Sequence, residues 1–245
     1  MAEKTSNPSI ELGWQRTLLI LLPFLFVVAI FEFVGAMIIN APLVYNAEWT
    51  STEKLVVKIF GMSGTVLLVL TFLKFLDHET ISSIGINRHF SFAQLFYSGI
   101  FVTLSIGIGF LLLLVSGQIQ IQAFDFEIIL FLRWFALFTI AAFGEEIFAR
   151  GYILKNLLQS FSSKTSLLLS SLLFCALHLF NPNISLISVI NLFLAGIVLG
   201  IAYLYSGNLW LPFFIHFFWN FIQSHLGFMV SGQKIYSLVR IELTN

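Results

Sequence analysis

The chain has 245 residues, 58% of them hydrophobic and only 10% charged, with a mean hydropathy of +0.96. That composition lies outside the range of water-soluble domains and implies an integral membrane protein. Lys+Arg and Asp+Glu are equal at 12 each, so no basic excess marks a nucleic-acid partner, and the single cysteine, Cys175, excludes an intrachain disulfide framework and a cysteine-based metal cluster.

A polar start with Lys4 and Arg16 runs into a stretch of about 22 apolar residues. The stretch is longer than a signal-peptide core and has no convincing small-residue cleavage site, so it reads as a retained first span. With about 20 apolar residues needed to cross the hydrocarbon core, spans are predicted near 18–39, 55–76, 94–116, 127–143, 166–180, 186–205 and 209–229. The fold class is therefore an all-α polytopic transmembrane bundle of about seven spans in the cell membrane. Residues 151–163, GYILKNLLQSFSS, mix Tyr, Lys, Asn and Gln with leucines and suit a helix lying at the interface. Brief connections carry turn formers: Asn40-Ala41-Pro42, Asn181-Pro182-Asn183 and Ser206-Gly207-Asn208. Gly196 and Gly200 share the spacing that lets helices approach closely, and Trp210 with Pro212 fits an interfacial anchor and a helix start. Lys74, Arg88, Arg150, Lys155 and Lys164 favour a cytoplasmic N-terminus, whereas Lys54, Lys58, Lys234 and Arg240 weigh against it. No internal repeat or inverted symmetry is visible.

Glu145 and Glu146 stand side by side after a long apolar run, with Arg150 four residues after the second. A charge near the bilayer core costs about 3 kcal/mol on insertion scales, so a pair of acids there is a functional signal. Glu146 and Arg150 share a helix face in the favourable acid-first order, and Glu145 points about 100° away, free for another task. The same spacing recurs in Phe174 with His178 and in His216 with Asn220. A carboxylate, two imidazoles and an amide donor supply what amide hydrolysis needs: a base for water, groups to orient that water or bind a metal, and oxyanion donors. Glu145, His178 and His216 also match the ligand set of a catalytic zinc, although the HExxH helix signature is absent.

EEIFARG resembles the EExxxR motif of the CPBP family, LLFCALH its FxxxH motif, and the block ending in His216 and Asn220 its HxxxN motif. The three occur in the family's order and with similar spacing. The family groups type II CAAX prenyl endopeptidases with bacteriocin-processing and bacteriocin-immunity proteins. The resemblance implies an intramembrane endopeptidase acting on a membrane-associated protein or peptide, by CAAX-type tail or leader-peptide processing. Glu145 is then the water-activating acid assisted by His178, His216 and Asn220 are oxyanion or metal groups, and Glu146 and Arg150 support them. A divalent metal such as zinc is compatible with the family and not required by it. The resemblance divides the chain into N-terminal helices at 1–126 without a recognised motif, a catalytic core at 127–230 and a short polar tail at 231–245.

Competing readings attach to the same residues. The acids could sit at a helix end among headgroups with Arg150 snorkelling, and Asn220 could be polar glue between helices. The chain could be a non-catalytic immunity or partner-binding protein, or a transporter with a proton relay. Glu32, well inside the first span with no basic residue near it in sequence, calls for a partner such as Arg133, a water-filled cavity or simple protonation. Cys175 reads as packing, His225 as facing elsewhere, and His78 and His89 as solvated loop residues.

Overall fold

The computed structural model describes residues 8–43, 49–86 and 90–244; Lys4, Arg88 and His89 lie outside them. Among the described residues, seven helices follow one another: α1 (Gly13–Ile38), α2 (Ser51–Asp77), α3 (Phe92–Val115), α4 (Ile128–Leu158), α5 (Ser163–Leu177), α6 (Leu186–Ser206) and α7 (Trp210–His225). The first four and α6 are long and apolar enough to cross a membrane, while α5 is a shorter apolar helix of 15 residues. Large apolar side chains stay exposed along the bundle, among them Phe92, Leu112 and Val115, as lipid contact requires. This is a multi-pass membrane protein.

Helix starts follow their local chemistry. Thr50 and Glu53 form a reciprocal capping box at α2, and the Ser162 and Ser185 hydroxyls accept the first free amides of α5 and α6. The Asn208 carboxamide oxygen accepts from the amides of Trp210 and Leu211, two residues before Pro212 begins to set the backbone of α7.

The structure corrects two sequence expectations. The fourth span does not end at residue 143 but runs 31 residues to Leu158, about 46 Å at helical rise, with Ile147–Leu154 in π conformation. The predicted interfacial helix at 151–163 is instead mostly the buried end of α4. Its polar groups find partners there: Tyr152 donates to Asp77 at 2.9 Å, Asp77 pairs with Arg16 at 3.1 Å, and Lys155 bonds Ser83 and Glu79. Arg16 also donates to Gln159. This polar clasp ties α1, the end of α2 and the end of α4, and it withdraws Lys155 from the loop charges that bear on orientation.

Gly13 makes that junction close. A Cβ there would lie 1.9 Å from the Asn156 carbonyl oxygen, a backbone atom with no rotamer to move to. Gly13→Ala is expected to cost about 1–3 kcal/mol of stability in detergent unfolding, whereas Gly107→Ala, whose Cβ meets nothing within 4 Å, should not; equal midpoints would refute the close-approach account.

Two strands also form that the sequence reading leaves as loop and tail. Ile119–Phe124 (β1) pairs antiparallel with Val239–Leu243 (β2), with an irregularity between Ile121 and Ala123.

Candidate active site

Glu145 and Glu146 fall in the middle of α4, where the π segment begins at Ile147. Widened turns of this kind are frequent at functional sites because they re-aim side chains along a helix. The α4 extension also removes a difficulty in the sequence reading, where straight spans put Glu145 and His178 at opposite ends of neighbouring helices. With α4 running on to Leu158 and α5 returning from Ser163, the Glu145 level of α4 meets the C-terminal end of α5, where His178 sits as C-cap.

Glu146 is fully buried and serves as a hub. Its Oε1 accepts from Arg150 Nη1 at 2.8 Å and from His216 Nδ1 at 2.8 Å. Arg150, equally buried, donates through Nη2 to the Gly196 carbonyl at 3.1 Å and lies 4.5 Å over the Phe174 ring. One guanidinium therefore touches α4, α5 and α6. Gly196 is required here because a Cβ would approach the Ser171 Cα to 2.9 Å, so the expected close helix approach is realised between α6 and α5. Two atoms of the pair, Glu146 Oε2 and Arg150 Nε, are buried without a hydrogen-bond partner among the described residues, so these contacts repay its desolvation only in part.

Glu145 turns the other way, as its 100° offset predicts, and stays one-third exposed. Its Oε2 lies 3.5 Å from His178 Nε2 and 3.8 Å from His216 Nε2. The first lies at the outer limit of a hydrogen bond and the second beyond it, so both suit groups that share a third partner. His178 Nδ1 lies 2.7 Å from the Phe174 carbonyl oxygen, which can only accept, so the proton belongs on Nδ1. His216 Nδ1 likewise faces the Glu146 carboxylate. Both imidazoles are thus pinned at Nδ1 and present Nε2 to one glutamate oxygen.

The donors are right in kind for zinc, with the outer nitrogens held as metal-site histidines require. As arranged, no three His, Cys, Asp or Glu side chains among the described residues form a group able to hold a metal ion.

Glu145 and His178 line a cavity of about 270 Å³ walled by α1, α2, α4 and α5. Glu32, Lys58, Asn181 and Ser231 line it too. Of the alternatives open for Glu32, the cavity is present and a pairing with Arg133 is not: Arg133 donates to Ser51 at 3.3 Å, and the cation facing Glu32 is Lys58. The sequence reading did not select Lys58, Asn181 or Ser231 for the site. Lys58 carried a legible signal as a cation inside an apolar span; the other two sit in turns that only folding brings over the cavity. Asn220, one turn after His216, is half-buried, lies outside the cavity lining and makes no side-chain hydrogen bond among the described residues.

The remaining candidates sit elsewhere. Cys175 contacts the Val189 carbonyl at 3.4 Å as a packing residue, His225 is enclosed by Phe131, Phe221 and Tyr236, and exposed His78 bonds Ser9.

Residues 127–222 match the family model described as Type II CAAX prenyl endopeptidase Rce1-like, which bears out the resemblance read from the three motifs. No curated protein and no solved structure matches the chain.

Proposed function

We propose, from the premise that this multi-pass membrane chain carries an Rce1-like type II CAAX prenyl endopeptidase domain, that it hydrolyses a peptide bond of a membrane-associated protein or peptide by a Glu145-dependent mechanism. Glu145 takes a proton from water held between its Oε2 and His178 Nε2, and the water oxygen attacks the scissile carbonyl carbon. When the tetrahedral intermediate collapses, the C–N bond breaks and Glu145 returns the proton to the leaving nitrogen, giving a carboxylate and an amine. Glu146 and Arg150 act as positioning residues, holding His216 through Nδ1. Asn220, whose amide is unengaged among the described residues, is the oxyanion donor in this reading and comes into contact once substrate is bound.

The observation that carries the proposal is the convergence of two Nδ1-pinned imidazoles on one oxygen of a one-third-exposed glutamate that lines a cavity among the helices. Water and an amide brought together there need no long-range rearrangement to react. The test compares new peptide termini among membrane proteins of host cells carrying either the wild-type chain or Glu145→Gln at equal expression. Termini seen only with wild type support proteolysis and name the substrate. Identical profiles, with a phenotype lost on deletion, would point to an immunity or partner-binding role instead. Activity abolished by chelation and restored by zinc alone would put a metal into the mechanism.

A further inference from the structure

Three donors lining the cavity have no part in the hydrolysis above: Lys58 on α2, Asn181 in the turn after α5, and Ser231 in the turn before β2. Among the described residues, none of their side chains makes a hydrogen bond or a close ion pair. An ammonium left unengaged inside an apolar span is costly unless something else binds it, and Lys58 on α2 is such a group; Asn181 and Ser231 reach the same cavity from turns, Ser231 at its exposed mouth.

The surrounding structure holds them in one place. The Asn181 amide donates to the His178 carbonyl at 3.1 Å, which sets Asn181 directly after the site histidine. The turn bearing Ser231 is clipped over the 181–183 turn, because Asn183 donates to the Gly232 carbonyl at 2.9 Å. Gly232 packs so tightly there that a Cβ would lie 1.7 Å from the Pro182 carbonyl oxygen. The same turn is tied to α2 by Lys54, one helical turn before Lys58, whose ammonium donates to Gln233 at 3.1 Å. Glu32 lies over Gly61 on the next turn of α2, and both Glu32 and Glu145 feel the Lys58 charge, but neither forms a direct ion pair with it, so the ammonium keeps its three N–H donors.

We infer that Lys58, Asn181 and Ser231 form a carboxylate-binding subsite beside Glu145 and His178, which selects substrates bearing a carboxylate close to the cleaved bond. The inference rests on the endopeptidase reading. A charge-assisted ammonium contact flanked by neutral donors is the natural complement of a carboxylate. That group is either the substrate's own C-terminus or an acidic side chain next to the scissile bond.

The test uses a substrate peptide taken from the wild-type-only termini and made in three forms: the parent, its C-terminal amide, and a version with the nearest acidic side chain changed to its amide. Cleavage is measured in proteoliposomes with wild type, Lys58→Arg and Lys58→Met. One neutralised form is expected to lose about 10- to 100-fold in kcat/KM with wild type, mostly through KM, and the form that loses names the source of the carboxylate. Lys58→Arg should keep the discrimination, and Lys58→Met should treat charged and neutral forms alike. If Lys58→Met does not accumulate, Ser231→Ala at the exposed mouth should weaken only the parent, by about 2- to 10-fold. Cleavage of all three forms within twofold by wild type, or discrimination that survives Lys58→Met, overturns the subsite while leaving the hydrolase reading intact. No cleavage by wild type beyond that of Glu145→Gln would overturn both.

Discussion

Glu145→Gln in purified, reconstituted protein is expected to lower kcat by about 10²–10⁴-fold, the range supplied by a positioned general base, with KM little changed. Glutamine keeps the size and dipole of the side chain and removes only the capacity to take a proton. Glu145 is one-third exposed to the cavity and its polar contacts are the long ones to His178 and His216 at 3.5 and 3.8 Å, which a glutamine can keep in part, so the unfolding midpoint in detergent should stay close to its wild-type value. That combination separates a chemical role from a structural one. A variant retaining more than a tenth of wild-type kcat would remove Glu145 as the base. A variant that loses activity together with its unfolding midpoint would show that the residue holds the bundle.

Arg150→Met should give the largest loss of stability, about 3–5 kcal/mol, because it strands the Glu146 carboxylate in the interior without its cation. It also withdraws the contacts to the Gly196 carbonyl and the Phe174 ring. The double variant Glu146→Leu/Arg150→Met removes both charges and is expected to recover most of that stability, since replacing a buried ion pair by apolar residues of similar volume is often neutral. It should not recover activity, because His216 then loses the acceptor that fixes Nδ1. Thermal unfolding and turnover measured on the two variants check this. A double variant as unstable as the single one would mean that Arg150 acts through packing more than through charge, and a double variant with wild-type turnover would free His216 from Glu146.

The residues of the site were legible because their chemistry contradicts their surroundings. Acids and histidines inside apolar runs are rare, and the spacing of Glu146 with Arg150 and of Phe174 with His178 follows from helical periodicity, which a sequence displays directly. The partners of Glu32 and Arg16 were not legible. Glu32 meets Lys58 across the α1–α2 seam, and Arg16 meets Asp77 some 60 positions away; nothing local to either residue encodes that distance. The burial of 151–158 was missed for the same reason. Tyr152, Lys155 and Asn156 look like an interfacial helix until Asp77, Glu79 and Gly13 are brought against them.

By itself the sequence determined the membrane setting, seven apolar helices, the turns between them and the chemical types gathered at Glu145, Glu146, Arg150, His178, His216 and Asn220, because hydropathy and helical spacing are properties of neighbouring residues. Tertiary structure alone decided that α4 continues through a π segment past the acids, that His216 bonds Glu146 through Nδ1 while both imidazoles turn Nε2 toward Glu145, and that Lys58, Asn181 and Ser231 share the cavity. Those outcomes depend on which helix faces pack together and at what depth, and depth is set by the close approaches at Gly13, Gly196 and Gly232 and by the polar clasp at Asp77.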